Sequence, residues 1–210
     1  MIIIYFHICQ KGEWKRSFLM SFEQIKASGL YDECQEIRCG VVNDGGALIG
    51  DPIFHDPKIK VVALGRSAEY ERLTLHHMRQ AAETEVGAKY LYCHTKGLMH
   101  FGTHREESVL DWIRMLVYFN IERWRLAKET LDTFDTYGCN YFTDGYPQHY
   151  SGNFWWANAS YIKTLPKTIG PAYLDPEFWV LSKEPKYFVA FSSGINHYDH
   201  RFLPSQYRVS

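Results

Sequence analysis

Along the first 135 residues, apolar and polar positions alternate between two rhythms. Residues 2–8, "IIIYFHI", form a continuous β-branched and aromatic run, the pattern of a strand buried on both faces. After the polar "CQKGE", Trp14, Phe18, Leu19, Phe22 and Ile25 recur mainly at three- and four-residue spacing and Gly29 follows, which predicts an amphipathic helix with a glycine stop. "QEIRCGVVND" (35–44) and "KIKVVALG" (58–65) predict two more strands, with "NDGG" between them as turn chemistry. Residues 68–86 predict a helix closed by Gly87, which leads straight into the strand "KYLYCH". A long helical pattern then covers 106–134, with a cap at Thr103 and acids in its first turn.

From Cys139 onward the texture changes. "CNYFTDGYPQHYSGNFWWANASYIKTLP" is dense in aromatics, Asn, Gly and Ser, which suits short strands and ligand loops better than helix. Residues 159–165 predict one or two helical turns ending at Pro166. "DPEFWVLS" gives a short helix or an extended piece, "KYFVAFS" a last strand, and 194–210 a polar aromatic tail. With no repeat, low-complexity segment or linker, the chain predicts one α/β domain over 1–210, with a mostly parallel sheet flanked by helices. In such a sheet the ligand crevice lies beyond the carboxyl ends of the strands. The residues there are His7, Asn43 with Asp44, Gly65 with Arg66, and His94 through Gly97.

Composition narrows the classes. A chain of 210 residues is long enough to bury about 70% of its unfolded surface. Its 23 Lys and Arg against 24 Asp and Glu give a formal charge of −1, so nothing draws a nucleic acid by bulk attraction. The opening apolar run lacks a basic leader and is broken at His7, and no stretch nears the ~18 apolar residues of a membrane span, which predicts a soluble protein without a transmembrane segment. Five cysteines, odd in number and without a CxxC pair, predict reduced thiols in a cytoplasmic setting. Aromatics at 16%, with six Trp and 15 Tyr, predict a ligand-facing surface as well as a core.

Three compact motifs are missing. The turn after the first strand reads "HICQKGEW" rather than GxGxxG, and no GxxxxGK followed by Ser or Thr occurs. The nearest approach to a GxSxG elbow, Ser192, Ser193 and Gly194, lacks the first glycine. A further option is an enzyme that binds a nucleotide-linked substrate through a metal and scattered strand-end residues, without a compact glycine-rich motif.

Residues 90–97, "YLYCHTKG", the segment "WIRMLVYF" at 112–119, and "HYSGNFWWANASYIKTLP" at 149–166 carry a resemblance over nearly the whole chain. In these the sequence resembles the small single-domain glycosyltransferases of bacterial polysaccharide clusters and large algal viruses, the chlorella-virus enzymes in particular. The resemblance implies a GT-A-like fold, that of the nucleotide-diphospho-sugar transferases. It implies a UDP-sugar donor, a glycan or glycoprotein acceptor, and a divalent ion, usually Mn2+ or otherwise Mg2+. A viral chain of this kind would act in the host cytoplasm.

The sequence departs from that family where it matters most. Most GT-A enzymes carry Asp-X-Asp at the end of the central strand, whereas this chain has His94, Thr95 and Lys96. Two arrangements stay open: a sparse metal site of His94 completed by His197 or Asp199 from the tail, or one in which Lys96 replaces part of the ion's charge. In such a fold His7, Asn43, Asp44, Arg66, His94, Thr95 and Lys96 are the candidate nucleotide-binding residues. Gly152 lets the chain approach a bound sugar, and Asn153 with Trp155 or Trp156 offers a hydrogen bond and a flat apolar face, one tryptophan belonging to the core. Lys96, with His94 and the ion, would stabilise the leaving diphosphate. Of the nearby acids Asp144, Asp175 and Glu177, Glu177 is the first choice of base and Asp144 the next. A sugar- or nucleotide-binding module without turnover is the alternative, and an interaction protein with an aromatic docking surface is a third.

Overall fold

A computed structural model describes residues 1–208, so the last two residues of the expected tail, 209 and 210, lie outside the described residues. The first strand, β1 (Ile2–Cys9), is buried along nearly its whole length, as an unbroken apolar run requires of a strand covered on both sides. Its side chains alternate between two cores. Ile2, Ile4, Phe6 and Ile8 pack under helices α1 (Trp14–Ala27), α4 (Glu106–Val117) and α5 (Trp124–Thr130). Ile3 and Tyr5 face α3 (Arg72–Ala81), α6 (Ala159–Ile162) and α7 (Asp175–Trp179). A further short helix, α2 (Leu30–Glu33), leads into β2.

The strands β2 (Cys34–Val42), β3 (Ile59–Gly65), β4 (Lys89–His94), β5 (Thr136–Gly138), β8 (Trp155–Asn158) and β9 (Tyr187–Val189) join β1 in one sheet of order β3-β2-β1-β4-β8-β5-β9. β2, β3 and β4 run parallel to β1 or to each other, and β8 alone runs against its neighbours β4 and β5. The chain is therefore a single α/β domain with a mixed, mostly parallel sheet flanked by helices. A small hairpin of β6 (Tyr141–Phe142) and β7 (His149–Tyr150) stands apart from this sheet. After β3 the chain passes to the far side of β1, so a topological switch point lies between β1 and β4.

Two predicted helices are shorter than their patterns. The 68–86 helix begins at Arg72, because Ser67–Glu69 forms a 3-10 turn and Tyr70 takes a left-handed φ of 49°, which breaks the helical path. The 106–134 pattern divides into α4, a π-helical turn over Tyr118–Glu122, and α5. Thr103 is not the cap: the N-cap is Arg105, two positions on, and its N–H donates to Thr103 Oγ1 at 3.2 Å. All five cysteines are free, four of them buried. Among the described residues no helix is long and apolar enough to cross a membrane.

Candidate functional site

The turn after β4 is built by packing. Gly97 has φ +82°, and a Cβ there would stand 2.5 Å from Val109 Cγ1, so only glycine lets the chain reverse against α4. Ser17 on α1 fixes the turn by donating to the Lys96 carbonyl at 2.9 Å. Thr95 is structural: its N–H donates to the His7 carbonyl, and its Oγ1 accepts from the Cys9 N–H at 2.9 Å, zipping β4 to β1. His94 and Lys96 are left facing a cavity of about 620 Å3.

Lys96 is the cation of that cavity. Its Nζ sits 3.7 Å above the centre of the Trp112 ring and, among the described residues, has no carboxylate within salt-bridge distance. Burial lowers its pKa, with Glu177 and Glu71 pulling the other way. A cation held on an aromatic face keeps its hydrogen-bond donors free.

Around it stand two carboxylates and two imidazoles. Glu177, on α7, accepts from the Gly152 N–H through Oε1 at 2.8 Å. The Gly152 carbonyl in turn lies 3.1 Å from His94 Nε2. A carbonyl only accepts, so Nε2 carries the proton of the neutral ring. Burial, and then Lys96, lower the His94 pKa to about 4, which keeps that ring neutral near pH 7. Gly152 is at φ +99°, and a Cβ on it would lie 2.7 Å from Leu116 Cδ1. One glycine therefore orients both an acid and an imidazole.

Glu71, at the start of α3, is a lining residue that sequence reasoning missed. Its Oε2 accepts from the Tyr92 hydroxyl and from Asn153 Nδ2 at 2.6 Å. Asn153 is itself held by accepting from Trp155 Nε1 at 2.7 Å, and its φ of 54° is left-handed. Tyr70, directly before Glu71, is the second left-handed non-glycine residue beside this carboxylate. Conformations of that kind persist where the surroundings over-determine them, and they cluster at functional sites.

Other expected residues are placed differently. Trp155 and Trp156 do not offer a face to a sugar: consecutive strand residues point to opposite faces, both faces are covered, and each ring is fully buried, one in each core. His7 is also buried, with Nδ1 2.9 Å from Thr74 Oγ1, and burial lowers its pKa to about 4. Asp144 is exposed between β6 and β7 and does not line the cavity, and Asp175 accepts from the Ala172 N–H. Asn43, Asp44 and Arg66 also lie outside it. Asn43 Oδ1 closes a turn on the Gly45 N–H, and Asp44 pairs with Lys11 and accepts from the Ser67 N–H.

The expected metal ligands do not come together. His197 lines the cavity, stacked on Trp112, but its Nε2 receives Asn140 Nδ2 at 2.9 Å. The amide is oriented by the Ser193 N–H on Asn140 Oδ1. Asp199 lies outside the cavity with one oxygen on Arg105 and the other on Asn196. Among the described residues no three His, Cys, Asp or Glu side chains stand as a metal would require. The donor set of His94, His197 and Asp199 therefore does not fit a divalent ion.

Compared with protein-family models, with curated proteins and with solved structures, the chain finds no match.

Proposed function

We propose that this chain is a glycosyltransferase, moving a sugar from a UDP-sugar donor to a hydroxyl of a glycan or glycoprotein acceptor in the cytoplasm. The reading rests on the resemblance of "YLYCHTKG" and "HYSGNFWWANASYIKTLP" to GT-A enzymes, and one observation carries it. At the carboxyl end of a central parallel strand, beside the switch point, the Lys96 ammonium faces a cavity without a carboxylate partner among the described residues. An unpaired cation there suits an anion, and a sugar diphosphate brings one.

In the transfer, the bond from the anomeric carbon to the diphosphate oxygen breaks with its electron pair on the diphosphate, and a bond to the acceptor oxygen forms. Lys96 meets the charge that grows on the leaving group, and its fixed place on Trp112 means that little reorganisation is needed. Glu177, oriented by the Gly152 N–H, is the carboxylate that takes the acceptor proton. The divalent ion implied by the resemblance is assigned no step, since the expected ligands do not fit it.

The test is time-dependent release of UDP from a panel of UDP-sugars, with GDP- and CMP-sugars as controls. Release from at least one UDP-sugar is the expected result. Saturable donor binding without release would instead favour a sugar- or nucleotide-binding module, and an absence of both would overturn either reading.

A further inference from the structure

We propose that Glu71 Oε1 and His94 Nδ1 form a two-acceptor fork that binds an adjacent pair of hydroxyls on a sugar ring. The inference deepens the transferase reading by giving the site a substrate feature, and it rests on that reading only for which molecule carries the ring.

The fork follows from hydrogen-bond accounting. Glu71 Oε2 already receives two donors, the Tyr92 hydroxyl and Asn153 Nδ2, so Oε1 is the free acceptor. His94 has its proton on Nε2, against the Gly152 carbonyl, which leaves Nδ1 as a lone pair. These two acceptors lie 4.0 Å apart with no donor between them among the described residues. Neither is among the buried polar atoms that lack a partner, so both are reachable from the cavity they line.

A single hydroxyl has one proton and can serve only one tine. Two hydroxyls on neighbouring ring carbons supply two donors, diverging as the tines do. The rest of the cavity suits the same guest, since the aromatic residues Tyr146, Tyr173 and Phe178 also line it. A cation is the other occupant that two acceptors could take. It is disfavoured because the Lys96 charge already acts on His94 and because no third His, Cys, Asp or Glu among the described residues joins the pair.

Glu71→Gln tests the fork with little change of shape. The new side-chain carbonyl still accepts from Tyr92 and Asn153, while an amide donor replaces the free acceptor 4.0 Å from His94 Nδ1, so the fork loses one tine. The full chain, labelled with 15N-histidine, is titrated separately with methyl pyranosides carrying adjacent free hydroxyls, with cyclohexanol as a single-hydroxyl control, and with MnCl2. A thermal melt accompanies each variant.

In the wild type, at least one pyranoside should move the His94 Nδ1 resonance in the sense of an accepted hydrogen bond, while cyclohexanol at equal concentration does not. Pyranoside affinity should fall about tenfold or more in Glu71→Gln, the loss expected when a charged acceptor is removed. Because the variant can lose stability for other reasons, the wild-type contrast between pyranoside and cyclohexanol is decisive by itself. An unmoved His94 with every pyranoside, or an equal response to cyclohexanol, would overturn the fork. Selective broadening of His94 by manganese, lost in Glu71→Gln, would replace it with a cation site. UDP release is measured in parallel: its absence would sink the transferase reading and leave the pyranoside result standing.

Discussion

At the carboxyl ends of β2 and β3, polar side chains bind one another, whereas at the end of β4 they are left facing a cavity. Both regions looked alike in sequence, as polar residues directly after apolar runs. Asn43 closes its own turn, Asp44 engages Lys11 and the Ser67 N–H, and the Gln10 side chain, reaching over from the end of β1, holds both the N–H and the carbonyl of Leu48. Beside β4, Lys96 has only an aromatic face, and Glu71 and His94 each keep an acceptor free. The difference teaches that a polar strand end marks a site only where its hydrogen-bonding capacity is not met inside the chain.

The contrast breaks or holds most visibly at Lys96. If its free ammonium serves a developing charge, Lys96→Ala should lower kcat by about 10²–10³, or roughly 3–4 kcal/mol, with a smaller change in donor affinity. Steady-state kinetics against calorimetric donor binding reads the two separately. Unchanged values of both would make Lys96 a packing residue and erase the distinction between the two ends.

Two glycines with positive φ sharpen the comparison through stability. At Gly152 an added Cβ would collide with Leu116 as well as strain the backbone, so Gly152→Ala should cost roughly 2–4 kcal/mol and also loosen Glu177 and His94. At Gly46, beyond β2, φ is +89° but nothing lies within 4 Å of the added atom, so Gly46→Ala should cost only about 1–2 kcal/mol of backbone strain. Urea melts of both variants measure the gap, and equal losses would mean that Leu116 yields without cost.

Much of this arrangement was legible. The unbroken apolar run of β1 and the three- and four-residue periods of α1 and α4 specified elements that exist, and strand ends pointed to His94 and Lys96. Trp155 and Trp156 could have been assigned to the core from strand alternation alone, since both faces of a mostly parallel sheet are covered. Glu71 could not be found in this way. In "AEYERLTL" it resembles any exposed helical acid, and its role depends on a left-handed turn at Tyr70 and a partner 82 positions away, Asn153. The division of the 106–134 helix was equally hidden, because Tyr118–Glu122 contains neither Gly nor Pro to announce it.

A smaller effect separates the two ends by pH. His7, His94 and His197 are each lowered by burial from 6.5 to about 4, so between those values the unfolded chain binds protons that the native chain does not. Their contribution is complete above pH 6.5 and is lost as pH falls toward 4. Each group adds at most about 1.4 kcal/mol per pH unit to that slope. Asp44 is lowered too, by Lys11 and Ser67, so its contribution has the same sign but fades only as pH falls below the ordinary carboxylate range. Denaturant melts from pH 7 to 4 should therefore show stability falling with pH, and His7→Asn should flatten the slope without altering UDP affinity. A slope unchanged in His7→Asn would mean that His7 protonates freely in the fold.

The smallest expected effect is the most direct trial of the far end. If Asn43, Asp44 and Arg66 read the nucleotide, as the resemblance implies, Asp44→Asn should weaken UDP binding about tenfold, as the loss of a charged hydrogen bond does. The geometry argues for much less. Asp44 is exposed, its carboxylate is engaged by Lys11 at 3.0 Å and by the Ser67 N–H at 3.1 Å, and it lies outside the cavity that holds Lys96. To reach a nucleotide it would exchange those partners for new ones, and such an exchange between exposed groups changes little. Asp44→Asn, which still accepts from Ser67, and Arg66→Ala should each keep UDP affinity within about twofold of the wild type by calorimetry. A tenfold loss in either would place the nucleoside over β2 and β3, and would show that groups satisfied within the chain can still be recruited by a ligand.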